Sequence, residues 1–527
     1  MITLSDIPRK WSRLAAEREA LVFDEHRLSW RALDERIDRL AHALRALGIR
    51  EGEHVAVLAF NHHRYVEMYY ATSRAGNVIV PLNWRLAGEE LRHILEDSEA
   101  VALFVDPEFW PIVQEIRGAA TKLRAVVSLG EHLDGAEDYE ALLADAPSGR
   151  FPDVRDENRL FILLYTGGTT GKPKGVMISN RNLMTGTLGC VLSATGIRSD
   201  DSTLMVLPLF HVSLWPVTAA HYVGARVVVS RRFDMDELLA TVEREGVSHV
   251  NLVPTLVAML LAAPGLDSHD LSKLRAITYA GAPMPLELLL RLRARFPAAE
   301  ISQGYGMTEA APIITVLDEV THRDSETELG RRRLKGAGRE ALTTEVRIVD
   351  PDDDGRHEPL PPGVVGEVVA RGANVMLGYW KNPELTAERL RDGWLHTGDL
   401  GMVDEDGFLF LTGRKDDMII TGGENVYPQE VEEVILAHPA VAECAVVGLP
   451  DDLWGEQVTA CVVVQPGQVV SADEITAVCE VKLAGYKKPR RVEFQESLPK
   501  TLVGKVAYRE LRESLIKRDD ADLAPMS

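Results

Sequence analysis

Tyr165-Thr166-Gly167-Gly168-Thr169-Thr170-Gly171-Lys172-Pro173-Lys174-Gly175 packs four glycines, three threonines and two lysines into eleven residues. Nothing in it suits a hydrophobic core and every part suits a polyanion. Glycines let backbone N–H groups face a ligand with no Cβ in the way, threonines add hydroxyl donors, and lysines add positive charge. The apolar run Leu160 to Leu164 predicts a buried strand, so the loop leaves a sheet edge of the kind where α/β folds bind ligands. It is not a Walker A loop, which needs G-x-x-x-x-G-K followed by Ser or Thr. Here Lys172 is followed by Pro173, and the Gly167 to Gly171 spacing is a residue short. A plain surface turn would explain the glycines but not the donors beside them.

At 527 residues the chain exceeds one core, and ordinary domain sizes suggest about two to four units. A net charge of −22 argues against a general nucleic-acid or anionic-membrane binder, which needs a dominant basic surface. Phosphates must therefore be met by local clusters. Cys190, Cys444, Cys461 and Cys479 show neither zinc-site spacing nor a disulfide framework, so a reducing cytoplasm is the expected setting. The N-terminus lacks an apolar signal region, and no stretch reaches the ~18 apolar residues that span a bilayer. Leu252 to Leu261, broken by Pro254, reads as the start of a core helix, and the tail Arg518 to Ser527 is expected to be disordered.

Around the loop the pattern alternates. Val55 to Phe60 reads as a strand, Tyr65 to Arg74 as a helix stopped by Gly76, and Val78 to Pro81 as a strand, a βαβ signature. A helix over Ser179 to Val191, a strand Arg226 to Ser230, a helix Met235 to Glu245 and a strand His249 to Val253 extend a doubly wound α/β body. From about Thr344 strands joined by tight turns take over: Thr344 to Val349 with Val364 to Ala370, and Gly401 to Val403 with Phe408 to Thr412. After Gly413-Arg414-Lys415-Asp416-Asp417 come a helix Pro428 to Ala437, strands Ala442 to Val447 and Val458 to Val464, and a helix Ala472 to Leu483. The expected division is an N-terminal α/β domain, 1–413, with a small β subdomain at about 344–413, and a mobile α+β C-terminal domain, 414–527.

Gln303-Gly304-Tyr305-Gly306-Met307-Thr308-Glu309, His396-Thr397-Gly398-Asp399-Leu400, the segment Gly413 to Asp417, and Pro499-Lys500-Thr501-Leu502-Val503-Gly504-Lys505 complete the picture. With the glycine-rich loop, they resemble the adenylate-forming, AMP-binding superfamily, in its acyl-CoA synthetase and fatty-acid–CoA ligase branch. The resemblance runs over nearly the whole chain, in the family's order. It implies that ATP, Mg²⁺ and coenzyme A act on a small-molecule carboxylic acid, first as an acyl-adenylate with pyrophosphate leaving and then as a thioester. Two anions must meet, so cations and fixed donors should outweigh acid–base groups.

On this resemblance Thr166, Gly167, Gly168, Thr169, Thr170, Gly171, Lys172 and Lys174 hold the phosphates. Gly281, Ala282 and Pro283 form the adenine-side turn, and Tyr305 stacks on adenine. Thr308 meets the α-phosphate, and Glu309 holds the metal. Asp399 accepts the ribose hydroxyls and Arg414 supports ribose and phosphates. Lys505 reaches the acid carboxylate and α-phosphate, although Val503 stands where relatives often carry Ser or Thr. Asp416 is the hinge, and Gly422 and Gly423 line a pantetheine tunnel. Taken singly, Glu309 also reads as a solvated strand-end acid, Asp399 as a turn cap, Arg414 as a surface ion pair, and the Gly281-Pro283 segment as a plain turn.

His211 matches an aromatic gate beside the carboxylate, with a packed core histidine as the alternative. Val212, Trp215, Ala280 and Gly304 are expected walls of a pocket for an apolar acid without an α-amine, fatty or aromatic. A second departure is Gly336-Ala337-Gly338-Arg339-Glu340, where relatives show Arg-Pro. Arg331-Arg332-Arg333-Leu334-Lys335 before it is a solvated loop or, like Lys487, Lys488, Arg490 and Arg491, a contact for CoA phosphates. The rivals are a free-standing enzyme loading an acyl carrier protein, a catalytically dead nucleotide sensor, and a luciferase-like oxygenase. The oligomeric state is open, a homodimer included.

Overall fold

The structure, a computed structural model, describes residues 3–166, 173–352, 355–422, 424–451, 453–500 and 506–523, apart from the side chains of 195, 425 and 520–523. They form two compact units, one of residues 1–346 with 370–396 and one of 347–369 with 397–527.

In the first unit the expected βαβ element is present. His54–Leu58 is buried along its whole length, His63–Ala75 follows as a helix, and Val78–Pro81 returns parallel to the first strand. Gly76 ends the helix in the left-handed region, φ 69°, a conformation that glycine takes without a Cβ penalty. Repetition of this unit builds a sheet, eight-stranded among the described residues, ordered Gly378–Tyr379, Lys174–Ser179, Leu160–Thr166, Val78–Pro81, His54–Leu58, Ala102–Val105, Ala125–Ser128 and Glu137–Asp138. A second sheet, nine-stranded on the same count, runs Arg339–Glu340, Ile313–Leu317, Glu300–Gly306, Ala276–Ala280, His249–Leu252, Ser202–Met205, Arg226–Val229, Glu19–Phe23 and His26–Ser29. The pairs from Glu300–Gly306 through to Glu19–Phe23 are parallel, while Ile313–Leu317, Arg339–Glu340 and His26–Ser29 are joined antiparallel. Both sheets place helices between parallel strands, the doubly wound arrangement expected from the alternation.

The helix expected over Ser179 to Val191 is present, and ahead of it the glycine-rich loop returns as the strand Lys174–Ser179, antiparallel to Leu160–Thr166 with Thr166 opposite Lys174. Only then does the helix Asn180–Cys190 begin, capped by Ser179 Oγ, which accepts the Asn182 N–H. The physical reason is period-2 burial, since Val176 and Ile178 are buried while Met177 between them is only half-buried.

In the second unit Leu409–Arg414 runs antiparallel to the Asp399–Val403 part of the strand Trp394–Val403. The turn between the last pair closes as composition suggested: Asp404 Oδ1 accepts the Phe408 N–H, and Gly407 takes φ 80°. Beyond it, Val441–Asp451 and Gly455–Val464 form a long antiparallel ladder covered by the helices Pro428–Leu436 and Ala472–Lys482. The disorder expected over Arg518 to Ser527 is corrected as far as Leu523, residues 524–527 lying outside the described residues. Tyr508–Leu523 is a helix, and ion pairs from Arg491 to Asp519 and from Arg518 to Glu493 tie its charged end down. Among the described residues no helix is long and apolar enough to cross a membrane.

A close approach fixes one part of the first unit. A Cβ on Gly186, inside the helix Asn180–Cys190, would stand 1.6 Å from the Ala311 carbonyl oxygen. No side chain fits there, so the helix backbone lies directly on the turn that follows Glu309. Gly186→Ala is expected to destabilise the protein by about 3 kcal/mol, read as a lowered melting temperature.

Candidate active site

Of the expected site residues, Gly167, Gly168, Thr169, Thr170, Gly171, Lys172, Gly423 and Lys505 lie outside the described residues. The remainder fall into local groups.

In the first unit the strand Glu300–Gly306 runs into a single 3₁₀ turn, Thr308–Ala310, which buries both Thr308 and Glu309. Gly306 is required there, because a Cβ would meet the Pro312 carbonyl oxygen at 1.9 Å. Glu309 Oε1 accepts the Tyr379 hydroxyl at 2.9 Å, and the Glu309 carbonyl accepts the Met376 N–H at 2.8 Å. Asn374 holds the turn from behind, donating to the Ala310 and Ile313 carbonyls. Burial first, and then the Glu309 charge, push the Tyr379 phenol far above its usual range, so it stays a neutral donor.

Tyr379 in turn belongs to the two-residue strand that pairs with Lys174–Ser179. The Trp380 N–H donates to the Gly175 carbonyl at 2.8 Å, and Lys174 Nζ lies 5.8 Å from the Tyr379 ring centre. The return strand of the glycine-rich loop and Glu309 are thus joined through one tyrosine. The outgoing strand is braced as well: the Tyr165 hydroxyl donates to Asp97 Oδ2 at 2.6 Å, and Trp380 Nε1 donates to the Asp97 carbonyl at 2.9 Å.

Glu309 Oε2 has no hydrogen-bond partner among the described residues, leaving a hard oxygen donor for a cation. Among those residues no group of three His, Cys, Asp or Glu side chains stands ready to hold a metal. A magnesium ion at Glu309 would complete its shell with phosphate oxygens and water, as that ion usually does.

Ala280 and Gly304 are direct neighbours in register on adjacent parallel strands, and Gly281 follows at φ 89°. Gly304 differs from Gly306. The nearest atom to a Cβ there is Ile313 Cδ1 at 3.4 Å, an ordinary van der Waals contact, so packing does not demand a glycine at that position. Tyr305 is half-buried beside it. His211 Nδ1 accepts the Val212 N–H at 2.8 Å, which puts the ring proton on Nε2. Val212 is half-buried, but Trp215, expected as a pocket wall, is 0% exposed and lies wholly inside the core.

In the second unit Asp399 and Arg414 face each other across antiparallel strands, with Arg414 Nη1 2.8 Å from Asp399 Oδ1. The carboxylate side is set by a bend: Gly398 takes φ 73°, its N–H donates to Glu367 Oε1, and the Asp399 N–H donates to Thr397 Oγ1. Asp416 lies in the 3₁₀ turn Lys415–Asp417 that follows Arg414. Gly422, at φ 60°, packs against Trp454, whose ring also carries the Arg490 guanidinium at 3.8 Å. Of the basic cluster beside it, Lys487 pairs with Glu430, Lys488 with Glu480 and Arg491 with Asp519 and Glu493. Only Arg490 lacks an acidic partner among the described residues. Arg331, Arg332 and Arg333 fall in the short helix Glu328–Arg333, not a loop.

Tyr379 and Asp97 are the residues that motif reading missed. Tyr379 reaches Glu309 across 70 positions, and no local spacing announces that contact.

The AMP-binding enzyme family model matches residues 8–380, and the model for the AMP-binding enzyme C-terminal domain matches 430–505. A feruloyl-CoA synthase of Amycolatopsis sp is 41% identical over 513 residues, covering 97% of this chain and 98% of that protein. A fatty acid–[acyl-carrier-protein] ligase, ScoC, of Streptomyces coeruleorubidus is 36% identical, covering 94% and 93%. Among solved structures, the anthranilate CoA ligase AuaEII in complex with anthranoyl-AMP superposes with a TM-score of 0.87 at 28% identity, covering 98% of each chain.

Asp399→Ala removes the acceptor in the middle of the strand Trp394–Val403 and leaves Arg414 without that carboxylate. AMP binding is expected to weaken about 10- to 100-fold, measured by equilibrium titration.

Proposed function

The chain belongs to the AMP-binding enzyme family and is an AMP-forming acid–thiol ligase, and from that membership we propose that its acid is aromatic and its acceptor coenzyme A. In the first step an oxygen of the acid carboxylate attacks the α-phosphorus of ATP. The new P–O bond forms as the α–β bond breaks, and pyrophosphate leaves. In the second step the thiol sulfur of CoA attacks the acyl carbonyl, gives up its proton, and AMP leaves.

The observation that carries this reading is the junction at Tyr379, which brings a phosphate-binding hairpin and an acid suited to a hard cation to one place. Lys172 and Lys174, with the loop's N–H groups and threonines, neutralise the β- and γ-phosphates. Thr308 donates to the α-phosphate, and Tyr305 supports adenine. Glu309, whose Oε1 is held by the neutral Tyr379 phenol, would hold magnesium through Oε2, and that ion would supply charge neutralisation on the phosphate oxygens. Asp399 takes the ribose hydroxyls, with Arg414 beside it. Lys505 brings acid and α-phosphate together as a point charge on a long stem, and Asp416 is the hinge at a boundary placed at 414–417. Gly422, with Arg490 on the Trp454 ring, suits the pantetheine and phosphate parts of CoA. Four free, buried cysteines support a reducing, cytosolic setting.

The aromatic assignment rests on the relatives' printed substrates and on Gly304, which packing does not demand and whose missing side chain would leave a flat ring room beside Ala280. A pyrophosphate-release screen over benzoates, cinnamates and straight-chain acids should favour the ring acids. A preference for straight chains would overturn the aromatic assignment, and thioester formation with a holo-carrier but not with CoA would overturn the acceptor. Gly304→Leu should leave the melting temperature nearly unchanged while lowering kcat/KM for the best aromatic acid by about 100-fold, because a filled pocket excludes the ring.

Lys505→Ala is expected to abolish pyrophosphate release while thioester formation from supplied acyl-adenylate continues. Loss of both half-reactions would remove Lys505 from its exclusive place in the first.

A further inference from the structure

Glu432 is the buried carboxylate for which the reaction so far has no use. It sits on the helix Pro428–Leu436 and is 6% exposed. Its Oε1 accepts the Val446 N–H at 2.8 Å, and the Tyr508 hydroxyl stands 3.0 Å from both Oε1 and Oε2. Among the described residues no cation pairs with it. A carboxylate buried without a cation is costly, and a glutamine would meet the same two donors without that cost. The charge therefore does nothing for folding that an amide would not do.

Three elements converge on this carboxylate: its own helix, the strand Val441–Asp451, and the helix Tyr508–Leu523, of which Tyr508 is the first residue. Just ahead of Tyr508 the chain is pinned. Val506 forms a bridge with Lys500, and the Ala507 N–H donates to the Pro499 carbonyl at 2.8 Å. Lys500 and Val506, the described residues on either side of 501–505, are thereby held together, and Tyr508 is the first residue of the helix that follows. The titratable groups facing Glu432 are Asp417 from the turn Lys415–Asp417, Cys444 from the strand, and Tyr508 itself. Burial raises all three, so the thiol and the phenol stay neutral.

We propose that Glu432 is a positioning residue for the adenylation step, fixing through Tyr508 the base of the segment that carries Lys505. This rests on the assignment of Lys505 to that step. A phenol bond to a carboxylate is roughly twice as strong as one to a neutral carboxyl, so the tie weakens when Glu432 takes a proton. Burial pushes that carboxyl up to about 7. Adenylation should therefore decline as pH falls through about 7. Stability moves the other way. A raised carboxyl pKa means that the folded chain binds the proton more tightly than the unfolded one, so stability falls as pH rises from the ordinary value of 4.5 to about 7 and is level above.

The test uses the full-length enzyme and follows single-turnover pyrophosphate release and thioester formation from supplied acyl-adenylate separately. Tyr508→Phe keeps the ring and removes the donor. It is expected to slow pyrophosphate release about tenfold and thioester formation less than about twofold. Glu432→Gln keeps the acceptor contacts without the charge, so it should release pyrophosphate at the low rate of the protonated enzyme at every pH, losing the acid limb and the stability slope between pH 4.5 and about 7. Equal loss of both half-reactions in Tyr508→Phe, or no loss of either, would overturn the proposal, as would an acid limb that persists in Glu432→Gln. Lys505→Ala run in parallel separates the two assignments. If it leaves pyrophosphate release intact, the lysine's role fails. If it stops release while Tyr508→Phe changes nothing, only the role of Glu432 fails.

Discussion

The pairing of Lys174–Ser179 with its two neighbours is the constraint on which the first unit's chemistry depends. On one side the strand runs antiparallel to Leu160–Thr166, which holds the two ends of the glycine-rich loop in register. On the other it recruits Gly378–Tyr379 through backbone hydrogen bonds. A backbone ladder is indifferent to side-chain identity, so the main chain of Lys174 does structural work whatever its side chain meets. Tyr379 arrives by the same ladder and meets Glu309 from a distance in sequence that no local element spans. A P-loop achieves phosphate binding with a strand and a helix N-terminus; here the second arm is a strand, so in the proposed function lysines and threonines supply what a helix dipole would.

Charge is distributed accordingly. The chain carries 80 acidic against 58 basic residues, and most surface cations near the candidate CoA face are spent on carboxylates, as in Lys487 with Glu430 and Lys488 with Glu480. Arg490 is set apart by its seat on Trp454, where an aromatic face supports a guanidinium without neutralising it. Deep in the first unit, Arg74 is fully buried against Asp34, Asp38 and Asp153. Such a network specifies one arrangement of the elements that meet there, since any slip strands a charge.

Much of this was legible in the chain. The βαβ order, the helix Met235–Glu245, the turn at Asp404 to Gly407 and the strand pair of Gly401 to Val403 with Phe408 to Thr412 follow from local patterns and short motifs. What escaped was non-local or at odds with composition. The strand after the loop is short, and Pro173 at its head hides it. Tyr379 carries no motif of its own. Trp215 looked like a pocket wall by proximity to His211, yet its indole is packed against Gly186, and only the fold decides which side of a helix faces a cavity. The end of the chain read as disordered because its charges are dense, but cross-element ion pairs, Arg491 to Asp519 among them, hold the helix as far as the structure describes it.

The two glycines at 304 and 306 differ in what a mutation at each would cost the lineage. Gly306 is locked by the Pro312 carbonyl, and any drift there is purged by misfolding. Gly304 answers to no neighbour closer than 3.4 Å, so in the proposed function selection on it comes from the acid. An enzyme built that way would inherit its nucleotide chemistry and its diet separately: descendants could change what they consume, one residue from the tyrosine proposed for adenine, without renegotiating how they use ATP.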